Sequence, residues 1–274
     1  MRVSSLASGS SGNALAIEHE GQTLLVDCGC QPRRLAQLLG DAGVDLTTLA
    51  AVLLTHEHSD HVAGLAAIPP ALGAPLVMTP GTRLAEPLVG GLPAFAGRPV
   101  VEQPTGSTRT VGRFEVTSFP VSHDGAEVCG YLVAAGGHRV AIFTDLGVAE
   151  PHLREPLAAA DLVVLEANHD EQLLWRGPYP WPLKKRVAGD RGHLSNDACA
   201  ALLCDVLPAT GREVWLAHLS RTNNRHQLAR AAVQNALDAR GLYVHAVRVL
   251  PQYGATLRWE PQTVQLALNF AASQ

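Results

Sequence analysis

The chain lacks what would carry it into a membrane or staple it with cross-links. No stretch reaches the ~18–20 apolar residues needed to cross a bilayer, although 47% of the 274 residues are apolar. The opening Met1-Arg2-Val3-Ser4-Ser5 has no apolar run of the signal-peptide kind. Five cysteines (Cys28, Cys30, Cys129, Cys199 and Cys204) make an odd count without regular spacing. That argues against a disulfide framework and for reducing surroundings. Cys28-Gly29-Cys30 is also too tight for a C-x-x-C metal knuckle. Together these absences predict a cytoplasmic protein. There is no repeat of fixed short period and no low-complexity tail.

Lysine is nearly missing as well: Lys184 and Lys185 stand among 21 Lys and Arg. The formal net charge of −4 does not suit a chain that coats nucleic acid throughout. The charge is unevenly spread, however. Residues 1–175 hold 9 basic against 19 acidic residues, and residues 176–260 hold 12 against 6. Such a swing can mark a surface for an anionic partner. The length suffices for a large core, and residues 1–274 are read as one domain.

Short apolar runs predict strands at 3–7, 14–18, 23–27, 51–54, 76–78, 114–121, 130–134, 140–143, 162–166, 214–217, 244–249 and 255–259. Helices are predicted at 32–39, 62–72, 196–207 and 227–240. Residues 80–104 read as a Pro/Gly-rich connection. Residues 176–193, with Gly, Pro and the Lys184-Lys185-Arg186 run, read as an ordered loop or lid. The pattern suits an α/β (α+β) fold of two packed mixed sheets with helices outside. Several apolar strands stop abruptly at His or Asp, which places those side chains at the sheet edge.

The run Thr55-His56-Glu57-His58-Ser59-Asp60-His61 concentrates the chemistry. On extended backbone, residues two apart point the same way. His56 and His58 can therefore address one ion, while Asp60 and His61 begin the next turn and can face a second. Imidazole nitrogen and carboxylate oxygen are the donors expected for Zn²⁺, Mn²⁺ or Fe²⁺. His123, Asp145 and His218 each follow an apolar strand and raise the donor count to seven.

This run resembles the defining motif of the metallo-β-lactamase superfamily, and the resemblance extends over nearly the whole chain. It implies the αββα four-layer sandwich of the metallo-β-lactamase type. It implies one ion on His56, His58 and His123, another on Asp60, His61 and His218, and Asp145 bridging them. Asp27 matches an Asp that orients the ligands. The class B β-lactamases of the superfamily carry Cys where Asp145 stands, which argues against that activity. Flavodiiron oxygen reductases carry Glu where His58 stands.

His218-Leu219-Ser220-Arg221, Leu165-Glu166-Ala167-Asn168 and Gly192-His193-Leu194-Ser195 resemble segments of the tRNA 3′-processing endonuclease family. There, the last two form a Glu–His pair that protonates the leaving oxygen. Glu166 also reads as a helix N-terminal acid, and His193 as a polar loop residue capping the next helix. Ala7-Ser8-Gly9-Ser10-Ser11-Gly12-Asn13, Gly189-Asp190-Arg191-Gly192-His193-Leu194-Ser195-Asn196 and His218-Leu219-Ser220-Arg221-Thr222-Asn223-Asn224 together resemble the bacterial WalJ/YycJ subfamily. That resemblance implies a DNA nuclease with 5′-to-3′ exonuclease activity, two divalent ions (Zn²⁺ or Mn²⁺), and DNA rather than RNA as partner. A water activated between the ions would attack phosphorus, with Asp60, His193 and Glu166 as catalytic residues.

Arg221 and Asn224, just past His218, are candidate phosphate or sugar contacts, or residues that cap or solvate the following helix. Ser10 and Asn13 lie in a turn that can act as an anion nest or as a plain hairpin. The Lys184-Lys185-Arg186 run can track a nucleic-acid backbone or merely be solvated. A small-molecule hydrolase of the same fold, acting on a cyclic phosphodiester, thioester or lactone, is the alternative. Homo-oligomers are common in this superfamily, and the sequence leaves the oligomeric state open.

Overall fold

A computed structural model describes residues 1–85, 97–243, 246–253 and 257–261. The chain begins with β1 (Arg2–Ala7), β2 (Ala14–His19) and β3 (Gln22–Val26), an antiparallel meander. β4 (Leu49–Leu53), β5 (Leu76–Met78) and β6 (Val100–Glu102) then add in parallel. The second sheet repeats this plan. β7 (Thr108–Val111), β8 (Phe114–Pro120), β9 (Cys129–Ala135) and β10 (His138–Phe143) are antiparallel. β11 (Leu162–Glu166), β12 (Glu213–Ala217) and β13 (Ala246–Val249) continue in parallel from β10. β14 (Arg258–Trp259) returns to pair with β1.

Side-chain alternation builds the layers. On β11, Leu162 and Val164 face the other sheet with Ile17, Leu24, Tyr131 and Trp215. Val163 and Leu165 face outward, among helix residues Leu203, Val233 and Leu237. On β3, Leu24 and Val26 point inward, while Leu25 points out to Leu35, Leu38 and Leu39. One outer layer therefore contains α1 (Pro32–Ala42), which Gly43 ends in the left-handed conformation. Short α2 (Ser59–Val62) and α3 (Pro80–Ala85) follow in sequence. The other outer layer contains α4 (Arg154–Ala159), then, after α5 (Glu171–Arg176) and α6 (Trp181–Val187), α7 (Asn196–Val206) and α8 (His226–Ala239). The αββα sandwich expected from the sequence is the fold. Among the described residues, no helix is long and apolar enough to cross a membrane.

Three expectations are corrected. Residues 62–72 do not form a helix: α2 ends at Val62, and single 3₁₀ turns follow at Leu65–Ala67 and Pro70–Leu72. Gly64 donates its amide to Cys28 and sits against the Cys28 and Cys30 carbonyls, so the chain cannot coil straight on. The connection 80–104 contains α3 and β6; residues 86–96 lie outside the described ones. The loop expected at 176–193 contains α6. Pro180 and Pro182 open that helix, where a missing amide leaves no intrahelical bond unmade. Helices α4 and α5 escaped the sequence reading. The predicted strands at 244–249 and 255–259 correspond to β13 and β14, with 244–245 and 255–256 outside the described residues.

The first sheet grips the His-rich loop through backbone. Asn13 donates its amide to Asp60, and Cys28 donates to His61. Gly29 is the tight point, because a Cβ there would overlap the Asp60 carbonyl. Gly29→Ala should therefore cost about 1–3 kcal/mol of stability through forced backbone shifts. Thermal unfolding measures this, and an unchanged midpoint would refute the tight packing.

Candidate metal centre

The donor loops leave the carboxyl ends of parallel strands, where open sheets of this kind present their ligands. β4 runs into the loop from Thr55 to His61, and α2 carries Asp60 and His61. Asp145 follows β10, Glu166 ends β11, and His218 follows β12. Asp27 (φ 59°), Asp145 (φ 58°) and His218 (φ 54°) all adopt left-handed backbone. Asp and His are among the residues that tolerate this region. Each turns the chain sharply as its strand ends.

Hydrogen bonds at Nδ1 pin the imidazoles. Asp27 accepts from the Thr55 amide and hydroxyl, both at 2.9 Å, and from His61 Nδ1 at 2.8 Å. With its proton given to Asp27, Thr55 Oγ1 accepts from His56 Nδ1 at 3.0 Å. His123 Nδ1 donates to the Gly192 carbonyl at 2.9 Å, and His218 Nδ1 donates to Glu166 at 2.7 Å. Each of the four then turns Nε2 towards a common space. His56 Nε2, His218 Nε2 and Asp145 Oδ2 are buried there without a hydrogen-bond partner. Buried polar atoms left unpaired are costly, so this is a cradle for a ligand that accepts lone pairs.

The donor sets match divalent cations in number and type. His56, His58 and His123 bring ligand atoms within 4.8 Å of one another. So do Asp60, His61 and His218, and so do His56, His61 and Asp145. Asp145 lies in the middle, with Oδ2 3.3 Å from His61 Nε2 and Oδ1 3.8 Å from His123 Nε2. The seven residues singled out in the sequence thus meet in one place.

Burial holds the His56 and His123 imidazoles below their usual range, so both are neutral. Burial opposes charge on His61 too, but Asp145 and Asp27 outweigh it and raise that imidazole well above the usual range. At His218, Asp145, Asp60 and Glu166 outweigh burial in the same way. Burial resists ionisation of Asp60, yet His218 and His61 bring it down to about 2. The buried carboxylates demand positive charge, which divalent ions can supply in place of protons.

Glu166 is fully buried at the end of β11. Its Oε1 accepts from His193 Nδ1 at 2.8 Å as well as from His218, and its Oε2 accepts from the Leu146 and Leu194 amides. It is therefore no helix N-terminal acid. His193 caps nothing either: Ser195 caps α7. Burial disfavours charge on His193, but Glu166 outweighs it and raises the pKa of the ring beside the cleft.

The remaining candidates separate. Asn13 is buried, with Nδ2 3.1 Å from His61 Nε2 and Oδ1 accepting the Gly9 amide. Ser10 is exposed at the turn tip. Arg221 lines a groove of 530 Å³ with Ser8, Arg225 and His226. Asn224 is buried, and its amide is spent on the Ala167 and Asn168 carbonyls and on Asn196, so it braces the scaffold. Sequence reasoning missed Thr55, whose hydroxyl links Asp27 to His56. It also missed Asp124, whose Oδ1 lies 3.2 Å from His123 Nε2 and 3.8 Å from His58 Nε2. An acid directly after His123 was the available signal.

An αββα sandwich with clustered His and Asp donors at the strand ends defines a metallo-β-lactamase-fold, metal-dependent hydrolase. The profile described as "Beta-lactamase superfamily domain" matches residues 22–219, and the chain belongs to that superfamily. It is 35% identical to exodeoxyribonuclease YycJ of Bacillus anthracis over 250 residues, 89% of this chain and 92% of that protein. It is 34% identical to exodeoxyribonuclease WalJ of Streptococcus pneumoniae, over 86% of this chain and 88% of the relative. Among solved structures, zinc-bound PqqB from Methylobacterium extorquens shares the fold at a TM-score of 0.68 and 20% identity, covering 94% of this chain and 99% of PqqB.

Ligand imidazoles must be unprotonated, whereas the carboxylates around His61 and His218 favour their protonated form. Uptake of Zn²⁺ or Mn²⁺ should therefore release protons, and apparent affinity should climb as pH rises. Calorimetric titration in buffers of different ionisation enthalpy counts those protons. Uptake without release, at an affinity independent of pH, would contradict the ligand assignment. Asp27→Asn should weaken metal affinity about 10–100-fold by unpinning His61, as read by competition with a chromogenic chelator.

Proposed function

We propose that the chain is a dinuclear phosphodiester hydrolase that degrades DNA from the 5′ end. The observation that carries this reading is His193, whose Nδ1 donates to the buried Glu166 at 2.8 Å, beside a seven-donor cluster. His56, His58 and His123 would hold one divalent ion, Asp60, His61 and His218 the other, and Asp145 both; Zn²⁺ and Mn²⁺ suit these donors equally. When bound, such ions make water nucleophilic near neutral pH and neutralise charge on phosphoryl oxygens.

The protein residues supply the rest. Asp60 accepts a hydrogen bond from the attacking water and orients it in line with the leaving oxygen. His193 gives its proton to that oxygen, and Glu166 stabilises the imidazolium until it does so. Because Glu166 also holds His218, proton donor and ligand share one buried anchor. Arg221 stands at the groove beside His218, where a guanidinium fork can take a phosphate. The groove's Arg225 and the adjoining Arg230 extend this basic lining along α8, matching the basic balance of residues 176–260. The names of the two relatives support DNA as substrate and an exonuclease mode.

His58→Ala should lose metal and activity while keeping the fold. His193→Ala should keep its metal and lose about 10²–10⁴ in kcat. Linear DNA labelled separately at each end, incubated with the metal-loaded protein, reports both rate and polarity. A His193→Ala rate equal to wild type would remove the proton donor from the account. Absence of DNA cleavage, with two ions bound, would turn the reading to a small-molecule ester or cyclic phosphodiester.

A further inference from the structure

Two tryptophans stand in solvent together. Trp175, on α5, is 40% exposed, and Trp181, at the start of α6, is 58% exposed; their ring centres lie 5.4 Å apart. The other two tryptophans, Trp215 and Trp259, are buried. Single exposed apolar residues need no explanation, but a paired, half-open indole surface does. Two lysines flank it, and Glu171 stands one helical turn before Trp175. Lys185 Nζ lies 5.4 Å from the Trp181 ring centre. Lys184 ties the two helices by donating to the Trp175 carbonyl at 2.8 Å. Residues 172–189 contain Arg176, Lys184, Lys185 and Arg186 and no Asp or Glu.

This surface is fastened to the metal centre. Arg186 donates to Asp124 at 2.6 Å, and Asp124 touches His123 and His58. The Val187 carbonyl accepts the His193 amide at 2.9 Å. A helix rises ~1.5 Å per residue, so Trp181 stands about 8 Å along α6 from Arg186.

We propose that Trp175 and Trp181 form a stacking platform for unpaired bases of the DNA strand whose phosphate enters the metal centre. The inference rests on the nuclease reading above and specifies it: the enzyme takes single-stranded ends. Aromatic faces beside cations are how proteins hold single strands without reading sequence, because every base has a π-face. Lys185 stands at the ring, where the next phosphate follows a stacked base. Duplex DNA hides its bases and gains nothing from the indoles.

The test uses the full-length, metal-loaded protein and a fluorescein-labelled phosphorothioate oligothymidylate, which resists hydrolysis. Anisotropy gives the dissociation constant. Trp181→Ala should raise it by about tenfold or more, the loss of one stacked base. Trp181→Phe should retain most of the affinity, and Trp181→Leu should not, which separates stacking from apolar bulk. Trp181 is too exposed for these changes to threaten the fold, and unfolding midpoints check this. Binding of the corresponding blunt duplex should not depend on residue 181. Variants that bind the single strand like wild type, or an equal loss on duplex, overturn the platform. If wild type cleaves end-labelled DNA while every variant binds alike, only the platform falls. If wild type neither binds nor cleaves DNA, the nuclease reading fails and the platform with it.

Discussion

The carboxylate of Asp27 holds the ligand loop in place. It accepts three hydrogen bonds from Thr55 and His61, and through the Thr55 hydroxyl it also fixes His56. Two imidazoles of the donor cluster, both fully buried, thus take their tautomer and direction from one side chain. Glu166 does the same on the opposite sheet for His218 and His193. The site is two buried carboxylates, one at the end of a strand in each sheet, presenting histidines to each other across the sandwich. A polar interior is tolerable only where its groups are satisfied. His56 Nε2, His218 Nε2 and Asp145 Oδ2 are among the atoms left unsatisfied, in a space suited to cations.

This arrangement costs backbone strain. Among the described residues, four non-glycine residues have positive φ, and Asp27, Asp145 and His218 are three of them. Strained residues of this kind persist where surrounding structure over-determines them, with a cost of order 1–3 kcal/mol each. The apolar strands β3, β10 and β12 supply that determination. Hydrophobic packing between the sheets is thereby coupled to the geometry of chemistry at their edge.

The donors were legible because their signals are local. His56, His58, Asp60 and His61 fall within six residues after an apolar strand, and Asp145 and His218 each stand at the end of one. The fold class was legible from strand runs alternating with helical periods. The misread helix at 62–72 failed for a tertiary reason: Gly64 must pack against the Cys28 and Cys30 carbonyls. The sequence suggested Glu166 as partner to His193. Its second bond, to His218, depends on β11 lying beside β12, which no local pattern announces. Asn224 looked like a substrate contact from its place after His218, but the Ala167 and Asn168 carbonyls and the Asn196 side chain take up its amide. Trp181 and Lys185 read as parts of a loop because prolines flank them, although those prolines begin a helix.

The central claim is that seven donors from two sheets hold two ions. Anomalous diffraction at the zinc edge, from crystals of the zinc-loaded protein, tests it directly. The account predicts two peaks, one bounded by His56, His58 and His123, the other by Asp60, His61 and His218, with Asp145 between them. A single peak, or peaks away from these side chains, would contradict it.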